Sequence, residues 1–141
     1  MRHHNTCGEH APLRGARWNS PGREAIYASD TYAGAILEVL AHALRPRTLP
    51  GPHHAVQIDI PGHLLEALEP DRLPGWDKPE SPEARQFGDR WLSEERTVVL
   101  SVPSVPARPL GQTLVINPRH AHAAALEVSN PFPVPWDDRL F

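Results

Sequence analysis

GARWNSPGREAIYAS, residues 15–29, is the stretch on which the reading of this chain turns. An Arg and a Trp stand side by side among turn formers, and the chain then enters a short apolar segment with a Tyr in it. A surface loop has little use for Trp and a packed core has little use for Arg, whereas a binding pocket can use both. Ser20-Pro21-Gly22 suits a tight turn that holds the pair rigid. Residues 24–28 then read as a short strand, with Ala25 and Tyr27 on one face and Ile26 on the other. Ser29, Asp30 and Thr31 are candidate N-caps for a helix that follows at once.

Working outward, residues 32–44 are helical in pattern, with Ala33, Leu37, Leu40, Ala41 and Leu44 as the apolar stripe and Pro46 as the stop. Residues 55–60, AVQIDI, alternate as a half-buried strand, and Pro61-Gly62 opens HLLEALE, which is expected to form a short helix. Ser81-Pro82-Glu83 combines an N-cap, a first-turn Pro and a first-turn acid. It starts a helix to about residue 93 whose apolar side is Ala84, Phe87, Trp91 and Leu92. Strands are expected at 97–104, 114–117 and 126–130, with a turn at NPRH and an extended, aromatic-anchored tail from Asn130. Strands and helices mix without regular βαβ alternation, so the fold class is α+β. The 141 residues suit one domain spanning 1–141.

Composition narrows the function. The net charge of −3 and the absence of a basic block argue against tracking a phosphate backbone, so no direct nucleic-acid contact is expected. No run of 18 apolar residues and no signal-peptide core occur, so no membrane partner is expected and the chain reads as soluble and cytoplasmic. Cys7 is the only cysteine and excludes an intrachain disulfide. The nine histidines include the pairs His3-His4 and His53-His54, but no HExxH or CxxC accompanies them and no metal is expected. Walker A, GxGxxG and GxSxG patterns are missing as well.

Five side chains are candidates for chemistry. The Arg17 guanidinium is a planar fork suited to a carboxylate or phosphate; the competing reading ties it to an acid at the loop base, with Trp18 as a core plug. Tyr27 is either an ordinary strand tyrosine or a flat face for a ring. Glu38 sits inside AGAILEVLAHAL beside the apolar stripe, either reaching an enclosed space or snorkelling toward His42 or Arg45. Ser101 and Ser104 end a buried strand, as turn residues or as orienting hydroxyls.

Taken together, RWNSPG, YAS, the LE of the helix, VPS, the NP of LVINPRHA and the closing PFPVPWDDRLF resemble a RES domain over nearly the whole chain. The resemblance implies a single α+β domain similar to ADP-ribosyltransferases of the diphtheria-toxin type, with a central split mixed sheet and flanking helices. It implies a toxin of a bacterial toxin–antitoxin pair that uses NAD as substrate. The family's Arg, Glu and Ser match Arg17, Glu38 and Ser104, with Tyr27 as a further site residue. Arg17, Tyr27, Asn19 and Ser104 are then the NAD-binding set, and Glu38, Arg17, Tyr27 and Ser104 the catalytic set. The implied partner is an Xre-type helix-turn-helix antitoxin, in a complex where the toxin can also pair as a homodimer. One departure stands out: the family's initial strand, often carrying Tyr-Arg, is expected to be missing here or a stub around Arg2, leaving an open sheet edge.

On that resemblance, the expected reaction breaks the nicotinamide–ribose bond through an oxocarbenium-like state. Glu38 would steady the sugar cation, Arg17 would grip phosphate or ribose oxygens, Tyr27 would stack on nicotinamide, and Ser104 would orient Glu38 or a ribose hydroxyl. The acceptor is water or phosphate on one reading and a protein on another. A third reading is an inactive or binding-only remnant.

Overall fold

The computed structural model describes residues 2–6, 15–42 and 50–141. Among the described residues, eight strands form one sheet: β1 (Arg2–Thr6), β2 (Ile26–Ser29), β3 (His54–Asp59), β4 (Leu65–Ala67), β5 (Val99–Pro103), β6 (Gln112–Ile116), β7 (Glu127–Val128) and β8 (Phe132–Pro133). Two α-helices accompany them among the same residues, α1 (Tyr32–Ala41) and α2 (Pro82–Glu94). The strand order is β4-β5-β6-β2-β1-β3-β7, with β8 also on β3; β4 and β5 are parallel and the other pairs antiparallel. The expected mixed α+β architecture is what forms.

The sheet consists of two halves that part between β2 and β1. β1 lies along β3 from Arg2↔Asp59 to Thr6↔Ala55, and β2 lies along β6 from Ile26↔Ile116 to Ser29↔Thr113. β1 and β2 themselves are in register only at His4↔Ser29. α1 follows β2 directly and packs on both β1 and β2, so it straddles the parting.

Strand alternation builds a core on each face. Leu100, Val102 and Val115 point to one side, where Trp18, Trp76, Trp91 and Leu92 close the cluster with Tyr27, Phe87 and Val105 packed on it. Val99, Leu114 and Ile116 point to the other, against Ile58, Ile60 and Leu64. This opposition of Tyr27 and Ala25 to Ile26 is the one expected from the sequence.

Three expectations need correction. Residues 65–67 of HLLEALE are strand, parallel to β5, and only Gly62–Leu64 is helical, as a 3-10 turn. Adjacent apolar pairs fit either period, and the edge of β5 offered ladder partners that a free helix end would not have. The initial strand, expected to be missing or a stub, is present as β1 and lies inside the sheet, so it leaves no open edge there. Arg-His-His-Asn-Thr shows no apolar alternation, so only pairing defines it. The inward face of α1 is also not the expected stripe. Ala35 is buried, while Ala33 and Leu37 are exposed. The helix is apolar nearly all round, so its periodicity singles out no face. The expected extension to Leu44 and the stop at Pro46 lie outside the described residues.

Candidate functional site

Arg17 and Trp18 are the two central residues of a hairpin-like turn closed by the Ala16–Asn19 pair. Gly15, at φ +69°, allows the chain to enter it; a side chain there would meet the Asn19 carbonyl oxygen at 2.7 Å. Consecutive turn residues face opposite ways, which answers why Arg and Trp can be neighbours. Trp18 is 2% exposed, stacks on Trp76 at 6.3 Å and meets the edge of Phe87 at 6.4 Å. Arg17 remains half-buried, and its Nη1 donates to the carbonyls of Trp76 at 2.9 Å and Lys78 at 2.6 Å. Its contacts are thus to loop carbonyls, not to the acid that the competing reading supposed.

α2 holds the turn from behind. Ser81 caps it by accepting from the Ala84 N–H at 3.1 Å, as its sequence predicts. Asp89 accepts from the Ser20 N–H at 2.8 Å and also from the Ser20 hydroxyl, while Arg85 reaches the Ala16 carbonyl. Gly88 faces the Trp18 backbone so closely that no side chain fits between them.

Tyr27 joins this turn to the sheet. Its hydroxyl donates to Asn19 Oδ1 at 2.5 Å and accepts from the Trp18 N–H at 3.3 Å. Burial pushes the hydroxyl well above its ordinary range; the Trp18 N–H pulls the other way, Asp89 adds to the rise, and Arg85 and Arg17 oppose it. Tyr27 therefore keeps its proton and acts as a donor. Asn19, expected among the NAD-binding set, is fully buried, and its amide nitrogen donates to the Arg23 carbonyl at 2.7 Å while its oxygen takes Tyr27. Its contribution is to fix the tyrosine.

Glu38 comes from α1 at the parting of the sheet. It is one helical step from Ala35, the buried residue, which turns it inward and leaves its side chain 26% exposed. The buried Ser104, just past β5, donates its hydroxyl to Glu38 Oε1 at 3.0 Å and accepts from the Ala107 N–H at 3.3 Å. His42 Nδ1 lies 3.6 Å from the second oxygen, Oε2, and 2.8 Å from the Glu38 carbonyl. Ser101 instead faces Gln112, at 3.3 Å.

Two groups of side chains result, Arg17–Tyr27–Asn19 and Glu38–Ser104, and one apolar cluster links the segments that carry them. Val105, adjacent to Ser104, packs on the cluster that contains Trp18 and Trp76 and also supports Tyr27. His120 and His122, the turn histidines, have rings 5.6 Å apart and hydrogen-bond within their own turn and to the Glu95 carbonyl. The loop of residues 73–80, which accepts from Arg17 through the Trp76 and Lys78 carbonyls, was not singled out from sequence. Its signal was the one that marked residues 15–29, a Trp set among turn formers in LPGWDKPE.

The fold thus combines a split mixed sheet, a helix at its parting that carries a serine-held carboxylate, and an arginine-tipped turn. The RES domain family matches residues 2–137, and the chain belongs to that family. It is 37% identical over 125 residues to the Prs ADP-ribosylating toxin of a Sphingobium species, covering 85% of this chain and 76% of that protein. It is 35% identical over 129 residues to a Toxin Res of Pseudomonas putida, covering 89% and 85%. Among solved structures, the M. tuberculosis MbcT-MbcA toxin-antitoxin complex contains a chain of the same fold, with a TM-score of 0.68 at 18% identity over 95% of this chain and 84% of that one.

Proposed function

We propose that this protein is the toxin of a cytoplasmic toxin–antitoxin pair and consumes NAD by cleaving its nicotinamide–ribose bond. The observation that carries the reading is the Ser104–Glu38 pair. A carboxylate with one oxygen held by a buried hydroxyl is a fixed negative charge, and a fixed charge stabilises a developing cation without reorganising. As the C–N bond breaks, its electron pair leaves with the pyridinium nitrogen and neutral nicotinamide departs. Positive charge builds on the ribose, where Glu38 lowers its energy. An oxygen nucleophile, from water or phosphate, then bonds to the anomeric carbon and releases its proton to solvent. Tyr27, held by Asn19, offers a fixed ring against which nicotinamide stacks, and Arg17 grips phosphate or ribose oxygens with the donors that its loop carbonyls leave over.

A second reading, transfer of ADP-ribose to a protein, is supported by the name of the Sphingobium relative. Both readings share the bond cleavage and differ only in the acceptor. The MbcT-MbcA likeness and the Toxin Res relative support an antitoxin as partner; its Xre type and a toxin homodimer are part of the same proposal.

The test is incubation of the purified protein with NAD labelled in its adenylate half, with free nicotinamide measured alongside. Nicotinamide release with soluble ADP-ribose or its phosphate ester supports the first reading, and label on a polypeptide the second. Intact NAD after prolonged incubation rejects both. Arg17→Ala is expected to weaken NAD binding by about 10- to 100-fold, the equivalent of one or two charge-assisted hydrogen bonds. Calorimetric titration measures it, and unchanged affinity would leave Arg17 as a loop anchor alone.

A further inference from the structure

Asp77 and Arg108 stand on two separate loops and meet in an ion pair. Arg108 Nη1 donates to Asp77 Oδ2 at 3.0 Å, its Nε donates to the Val105 carbonyl at 2.9 Å, and its guanidinium lies over the Trp76 ring at 6.0 Å from the centroid. Each loop is tied separately to one half of the site. The loop at 76–78 is held by Arg17 through two carbonyls, and the loop at 104–111 begins at Ser104, which holds Glu38.

We propose that Asp77 and Arg108 form a latch that sets the separation of Arg17 from Glu38, making both of them positioning residues. The proposal rests on the reading of those two groups as the NAD site. The path is continuous: Glu38 to Ser104, Ser104 through Val105 to Arg108, Arg108 to Asp77 and Trp76, and from there to Arg17. The side chains of Arg108 and Asp77 are 47% and 45% exposed. Exposed pairs of this kind add little to global stability. What the latch controls is the relative placement of two catalytic groups, and small misplacements there are costly in rate.

The experiment is a double-mutant cycle of Arg108→Ala, Asp77→Ala and the pair, read as kcat and KM for NAD, together with hydrogen exchange in the full chain. Each single variant is expected to lower kcat about tenfold with a smaller change in KM. The double variant should lose about the same, because the two residues act through each other. The amides of Lys78, Ser104 and Gly111, which close the two loops, should exchange faster in every variant. Wild-type kcat in the singles, or a double that multiplies their losses, overturns the latch. Unchanged exchange in the singles overturns it whatever the activity. If exchange responds as expected but wild-type protein leaves NAD intact, the latch stands as the link between the loops and the NAD reading alone fails.

Discussion

Glu38→Gln should cost this protein about 10²–10³ in turnover of NAD while leaving its melting temperature unchanged. The magnitude is that of removing one fixed electrostatic stabiliser, about 3–4 kcal/mol. The substitution is chosen for what it preserves. A glutamine carbonyl oxygen can still accept the Ser104 hydroxyl, which donates to Glu38 Oε1 at 3.0 Å, so the side chain keeps its place and only the charge goes. The helix loses nothing either, since its cap is Thr31 accepting from the Gly34 N–H and its buried residue is Ala35. Binding should change less than turnover, because the sugar cation develops only as the bond breaks. Initial rates of nicotinamide release decide the matter. A glutamine variant that turns NAD over at the wild-type rate removes the carboxylate from the reaction and with it the mechanism proposed above.

Much of this site was readable in the sequence because its signals are local. The turn expected at Ser20-Pro21-Gly22 needs only adjacent residues and is closed by the Arg23 N–H on the Ser20 carbonyl, whereas the turn at 16–19 that carries Arg17 and Trp18 was not read. The Ser81 cap and the strand expected within residues 97–104 lie within single elements, and both appear where expected. Glu38 and Ser104 were picked out singly, and their contact, one of the two roles that the resemblance offered Ser104, spans 66 residues and follows from the sheet, which brings the end of β5 to α1. The failures have one cause, a local pattern that is degenerate until tertiary contacts break the tie. YAGAILEVLA is apolar nearly all round, so the face that buries Ala35 is chosen by β1 and β2 and not by periodicity. LEA becomes strand because β5 offers a parallel edge. Asn19 is buried and holds Tyr27, since in a tight turn the residue after the two central ones points back into the protein. The Asp77–Arg108 contact joins two loops 31 residues apart, and no local pattern announces it.

Gly88→Ala should destabilise the fold and disable the site together, through a single methyl group. A Cβ at Gly88 would lie 2.6 Å from the Trp18 carbonyl carbon, 3.0 Å from its Cα, and closer still to its oxygen. These are backbone atoms, so no rotamer change relieves the overlap. Either α2 or the 15–19 turn must move, and both are tied down. α2 buries Ala84, Trp91 and Leu92, and the turn is anchored by the buried Trp18 and by Ser20 on Asp89. Overpacking of this kind costs about 3 kcal/mol where nothing can yield. Alanine returns about 1 kcal/mol through its better helix propensity, so the net loss is about 2 kcal/mol. For a domain of this size that lowers the melting temperature by roughly 5–8 °C. Displacing the turn also carries Arg17 away from the Trp76 and Lys78 carbonyls and breaks the Tyr27–Asn19 contact, so activity should fall even below the transition, where the chain is folded. Thermal melts and NAD turnover at 20 °C on the same preparation separate the two effects. A variant that melts with the wild type would mean that the turn yields freely to α2, and a turn that yields freely could not hold Arg17 where the reaction needs it.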